Sequence, residues 1–168
     1  MSRGFVTESV KALPYSGIRK FFDVAAEMKD VISLGVGEPD FFTPWHVREE
    51  GIYSLEHHRM VYSSNAGQPA LRAAISDYVK GYSGLTYDAK TQVIVTVGVS
   101  EAIDVALRAV LDPGDEVLII EPCYVSYRAC VLLAGGVPVS VPARAENDFR
   151  VTREDIAPRI TAKTKVIL

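Results

Sequence analysis

Residues 93–121 read VIVTVGVSEAIDVALRAVLDPGDEVLIIE. Val93 to Val97 is a short β-branched run that predicts a strand, and Ser100 to Leu111 carries the 3.6-residue period of a helix. Asp112-Pro113-Gly114-Asp115 punctuates the helix end, and Glu116 to Ile120 is apolar enough to be buried on both faces. Strand, helix and strand in this order predict a βαβ unit with parallel strands.

The same alternation continues outward. Downstream, a helix stops at Gly135-Gly136, Val137 to Val141 reads as a strand, and Thr152 with Asp155 forms a capping box for one more helix. Val166-Ile167-Leu168 reads as the opening of a fourth buried strand, so the chain is expected to be part of something longer. Upstream, a helix starting at Pro69 is expected to bury Leu71, Ala74, Ile75, Tyr78 and Val79 and to turn Arg72, Asp77 and Lys80 to water. Thr43 and Pro44 predict another helix start, with the threonine as cap and the proline as first helical residue. Ser16 caps a helix whose apolar face is Ile18, Phe21, Phe22, Ala25 and Met28, and Val31 to Leu34 reads as a short strand.

The 168 residues are 48% hydrophobic and 23% charged, with 18 Lys+Arg against 21 Asp+Glu. This composition buries enough apolar surface to fold and excludes intrinsic disorder. A pI near 5.6 argues against nucleic acid or an anionic membrane as partner. No apolar run approaches the roughly 18 residues of a membrane span. The first residues carry Glu8, Lys11, Arg19 and Lys20 without a signal-type apolar block, so the cytoplasm is the expected compartment. Cys123 and Cys130 are read as reduced, buried thiols. His57 and His58 are adjacent, which on a helix aims them apart and disfavours a metal site.

Ligands of parallel sheets bind outside the carboxyl ends of the strands. Gly98-Val99-Ser100-Glu101 is a tight turn into a helix, whose unpaired N–H groups and dipole attract an anion. Glu121-Pro122-Cys123-Tyr124 puts a stiff turn and an aromatic ring at the end of the next strand. A phosphorylated aromatic cofactor suits such a rim. Other phosphate sites fit less well: no Lys follows the turn as a Walker motif requires, and Gly35-Val36-Gly37 meets Pro39 where a dinucleotide-binding helix should start.

Four segments, ISLGVGEPDFFTP (32–44), YSSNAGQPALRAAI (62–75), VTVGVSEAIDVALRAVLDPGDEVLIIEPCYVSY (95–127) and AGGVPV (134–139), resemble the class I/II aminotransferases of fold type I. The resemblance implies an α/β fold with a mostly parallel sheet and helices on both faces, and pyridoxal 5′-phosphate (PLP) as cofactor. It implies that residues 1–45 belong to a small domain and residues 46–168 to an incomplete large PLP-binding domain. Backbone amides of Val99, Ser100 and Glu101 would hold the phosphate, and Tyr124 would stack on the pyridine ring. Tyr62 would reach the phosphate held by the second subunit of a homodimer. Gly37 would lie against the substrate carboxylate, and Ile18 would close over bound substrate. The implied reaction moves an amino group between an amino acid and a 2-oxo acid.

The family's Schiff-base lysine, its pyridine-pairing Asp and its carboxylate-binding Arg have no match in these residues. The chain alone is therefore expected to be inactive. Two rivals share the implied fold: a lyase such as a carbon–sulfur β-lyase, and a non-catalytic PLP-fold binding or regulatory domain.

Overall fold

A computed structural model describes residues 5–13, 17, 21, 24, 28, 32, 39–57 and 62–168. Gly37, Ile18, His58 and the strand expected from Val31 to Leu34 fall outside the described residues, apart from Ile32. So does most of the helix expected after Ser16. The chain divides into two compact units, residues 17–96 and residues 1–16 with 97–168.

The second unit holds the sheet. Its elements are α1 (Glu8–Lys11), α4 (Val99–Val110), β1 (Glu116–Glu121), α5 (Ser126–Leu133), β2 (Val137–Pro142), α6 (Arg153–Ile156) and β3 (Thr164–Ile167). The first unit contributes α2 (Trp45–Glu56) and α3 (Pro69–Ser83). Three parallel strands run in the order β2-β1-β3, with Leu118 opposite Val139 on one side and Ile167 on the other. Parallel strands need crossovers, and α5 supplies the one between β1 and β2.

The apolar run of β1 explains its central place. Val117, Leu118 and Ile119 are fully buried, and alternation sends Val117 and Ile119 to one face and Leu118 to the other. Val117 and Ile119 join Leu107 and Leu111 of the α4 region and Cys130 and Val131 of α5 in one core. Spacing of four residues from Ile103 through Leu107 to Leu111 gives α4 the stripe that packs there. Arg108 and Asp104 pair at 2.9 Å along the same helix.

At the amino ends of the strands, Lys165 pairs with Asp115 at 3.0 Å and with Asp112 at 3.2 Å. The Asp112 N–H donates to the Asp115 carboxylate at 2.9 Å, and this bond, followed by Lys165, holds that carboxyl below the usual range. A carboxyl more acidic in the fold than in the open chain stabilises above its unfolded pKa of about 3.9. That stabilisation is lost as pH falls through the folded value. Urea midpoints measured from pH 6 to pH 2 should therefore drop less steeply below about pH 4 in Asp115→Asn than in the native chain. Equal slopes would remove Asp115 from the account of acid stability.

Several expectations need correction. Val93 to Val97 is not a strand, because among the described residues it finds no ladder partner; Val95 donates instead to the Ala66 carbonyl at 3.0 Å. Pro44 is the N-cap of α2 rather than its first residue, with an extended ψ of 143°, so Thr43 lies outside the helix. On helix α3 the expected face holds in part: Ile75 and Val79 are half-buried and Asp77 and Lys80 face water, but Ala74 is exposed. Leu71 and Tyr78 are exposed, while Arg72 donates to the Lys90 carbonyl at 3.3 Å and Ser76 to that of Tyr87 at 2.5 Å. Polar side chains turn inward there because the 85–92 segment offers carbonyls to satisfy. Cys130 is buried as expected, but Cys123 is exposed, since it follows Pro122 in the turn that leaves the sheet.

Candidate active site

Helix α4 and strand β1 fix the position of the rim by length alone. A 12-residue helix spans about 18 Å and a six-residue strand about 20 Å, so a helix ending beside the start of β1 begins near its far end. The amino end of α4 therefore lies at the carboxyl edge of the sheet. Gly98 is its N-cap, with φ 83° and ψ 169°, a conformation closed to residues with a Cβ. Ser100 is not a side-chain cap. The first bond into the helix runs from the Ala102 N–H to the Gly98 carbonyl at 3.3 Å. The N–H groups of Val99, Ser100 and Glu101 thus have no acceptor within the helix.

The Glu121–Pro122 peptide, which is cis, carries the chain from β1 over this end. Ser140 of β2 donates to the Glu121 carboxylate, and Arg128 approaches it at 3.9 Å. Tyr124 follows, half exposed at 53%. Hydrogen bonds with the side chains of Ser126 and then Ser100 lower the pKa of its hydroxyl below the ordinary tyrosine value. The Tyr127 ring meets Tyr124 edge-on, with centroids 5.8 Å apart. The structure thus brings two of the residues singled out from sequence, Ser100 and Tyr124, into contact across 24 positions. Partial desolvation of the exposed Cys123 thiol by its neighbours in the turn, then the Glu121 charge, raises its pKa, which disfavours a thiolate at neutral pH.

The other unit carries Tyr62, fully exposed just before a tight turn in which Ser64 and Gly67 exchange two 2.8 Å hydrogen bonds. Gly67 has φ 97°, and a Cβ there would meet Val95 at 2.7 Å. Only glycine lets the two segments close.

What sequence reasoning missed is the Glu101 side chain. Its carboxylate turns back and accepts a hydrogen bond from the Val97 N–H, one residue before the N-cap. A glutamate at the third helical position is the available signal for such a reach. Of the three lysines in the unit that holds the sheet, Lys163 and Lys165 lie at its amino edge, where the Lys163 carbonyl accepts from the Glu116 N–H at 2.8 Å, and Lys11 pairs with Glu8 at 2.7 Å on α1.

The sequence matches the family "Aminotransferase class I and II" over residues 29–168. It is 51% identical over 164 residues to YugH of Bacillus subtilis (strain 168), which carries the name of an aminotransferase; the match covers 98% of this chain and 42% of that protein. It is 45% identical to an aspartate aminotransferase of Pyrococcus abyssi (strain GE5 / Orsay), covering 91% of this chain and 39% of the relative. The crystal structure of Pyrococcus protein-A1 superposes with a TM-score of 0.91 at 42% identity, covering 95% of this chain and 41% of that one. The chain spans about two fifths of the length of the relatives it matches. Sequence and fold agree, and the chain belongs to the class I and II aminotransferase family.

Proposed function

We propose that a protein containing this chain transfers an amino group between an amino acid and a 2-oxo acid using PLP, and that these 168 residues supply the cofactor anchor. The juxtaposition of the open amino end of α4 with Tyr124, just beyond the carboxyl end of β1, carries this reading. It sets a half-exposed aromatic face beside an open helix end, which fits a phosphate joined to a flat heterocycle. When bound, the pyridine ring of PLP supplies the electron sink for proton loss at the substrate α-carbon.

The chain's own residues bind and orient. Amides of Val99, Ser100 and Glu101 take the phosphate, where the helix end favours negative charge. Tyr124 stacks on the ring, its own ring held edge-on by Tyr127. Tyr62, which is fully exposed, serves the phosphate of a second subunit in a homodimer, while Gly37 and Ile18 contact substrate. Residues 1–45 form part of a small domain and 46–168 part of the PLP domain. The protein works in the cytoplasm; no helix among the described residues is long and apolar enough to cross a membrane.

The lysine that moves the proton comes from outside the 168 residues. Of the three lysines in the unit that holds the sheet, Lys163 and Lys165 lie at the opposite edge and Lys11 is paired on α1, which supports this. Given PLP and a panel of amino acid and 2-oxo acid pairs, the 168-residue chain should transfer no amino group, and after dialysis against PLP alone it should show no active-site Schiff-base band. The complete polypeptide should do both. Turnover by the short chain would overturn the assignment of the missing lysine. Release of pyruvate and ammonia by the complete polypeptide without an amino acceptor would replace transfer by lyase chemistry.

A further inference from the structure

We propose that the Glu101 side chain is a positioning residue that staples the phosphate-binding turn, an inference that rests on the function proposed above. Gly98 has no side chain to cap α4, and no side-chain cap bond is formed. Side-chain packing contributes little on the strand side of the turn, where Val97 is 91% exposed. The bond from the Val97 N–H to the Glu101 carboxylate closes a loop across the glycine from the third helical residue. In a capping box the third residue usually reaches the N-cap N–H. Here it reaches one position earlier, on the strand side, and leaves the N–H groups of Val99 and Ser100 for a ligand.

Two effects of Glu101 oppose each other. Its carboxylate is favourable at a helix amino end and fixes the turn, yet it repels a phosphate bound at the same end. Glutamine separates them, because its amide oxygen still accepts from Val97 while the charge is gone.

Affinities of the complete protein for PLP and for pyridoxal, which lacks the phosphate, test the inference in Glu101→Ala and Glu101→Gln. Losing a hydrogen bond to a charged group is commonly worth about tenfold. Glu101→Ala should weaken PLP by about that factor and leave pyridoxal unchanged, and Glu101→Gln should bind PLP at least as tightly as the native protein. Tightening in both variants would mean that the carboxylate competes with phosphate and would overturn the staple. Parallel loss of PLP and pyridoxal, or no change in PLP, would overturn it equally. A native protein that does not prefer PLP over pyridoxal contradicts instead the proposed function.

Discussion

Gly98→Val should weaken PLP binding by the complete protein about a hundredfold or more, while removing only about 1–3 kcal/mol of folding stability. Gly98 combines φ 83° with ψ 169°, a region essentially closed to residues with a Cβ. The space around the position is open, so the cost is backbone torsion and not collision. Valine forces the turn into an allowed conformation, and the helix end tilts with it. Two charge-assisted hydrogen bonds from Val99 and Ser100 are then lost or misaimed, each worth about 1.5–3 kcal/mol. Equilibrium dialysis against PLP, alongside a urea titration, separates the two effects. Unchanged PLP affinity in a folded variant would move the phosphate site elsewhere.

Leu118→Ala should cost about 2–5 kcal/mol of stability, the range found for emptying a fully buried leucine site. Leu118 is at the centre of the central strand, with Val139 and Ile167 beside it, and none of its surface reaches water. Neighbours on two parallel strands are held by their ladders and cannot collapse far into the void. The paired control is Ile167→Ala on β3, where the side chain is 51% exposed and the loss should be much smaller. Urea midpoints should fall for Leu118→Ala with the slope unchanged. Equal losses in the two variants would show that β1 is not the core of the sheet.

The parts of the molecule that sequence made legible are those decided by local pattern. Glu116 to Ile120 was readable as a strand because a run apolar on both faces has one comfortable home, the middle of a sheet. Helix α4 was readable from the spacing of Ile103, Leu107 and Leu111, and its start moved by one residue because Gly98, not a side-chain donor or acceptor, forms the cap. Thr152 and Asp155 met as expected, with the Thr152 N–H and hydroxyl both 2.9 Å from the Asp155 carboxylate.

The failures are tertiary. Val93 to Val97 has strand composition, but a strand also needs a neighbour, and composition does not supply one. The inward turn of Arg72 answers a carbonyl 18 residues away, at Lys90. Exposure of Cys123 follows from the path of the chain beyond Pro122 and not from any preference of cysteine.

The candidate site divides along the same line. The open helix end after Gly98 follows from a glycine turn entering an amphipathic segment, and the ring at Tyr124 from its place just beyond β1. Their meeting through the Ser100 side chain depends on how α4 lies along the sheet. The backward reach of Glu101 depends on a single rotamer, which spacing suggests and only coordinates establish.

A crystal structure of the complete protein with PLP tests the central claim most directly. The account predicts phosphate oxygens within hydrogen-bonding distance of the Val99 and Ser100 N–H groups, and the pyridine ring lying against the face of Tyr124. Phosphate bound away from the amino end of α4, or a cofactor ring that leaves Tyr124 uncovered, would contradict it.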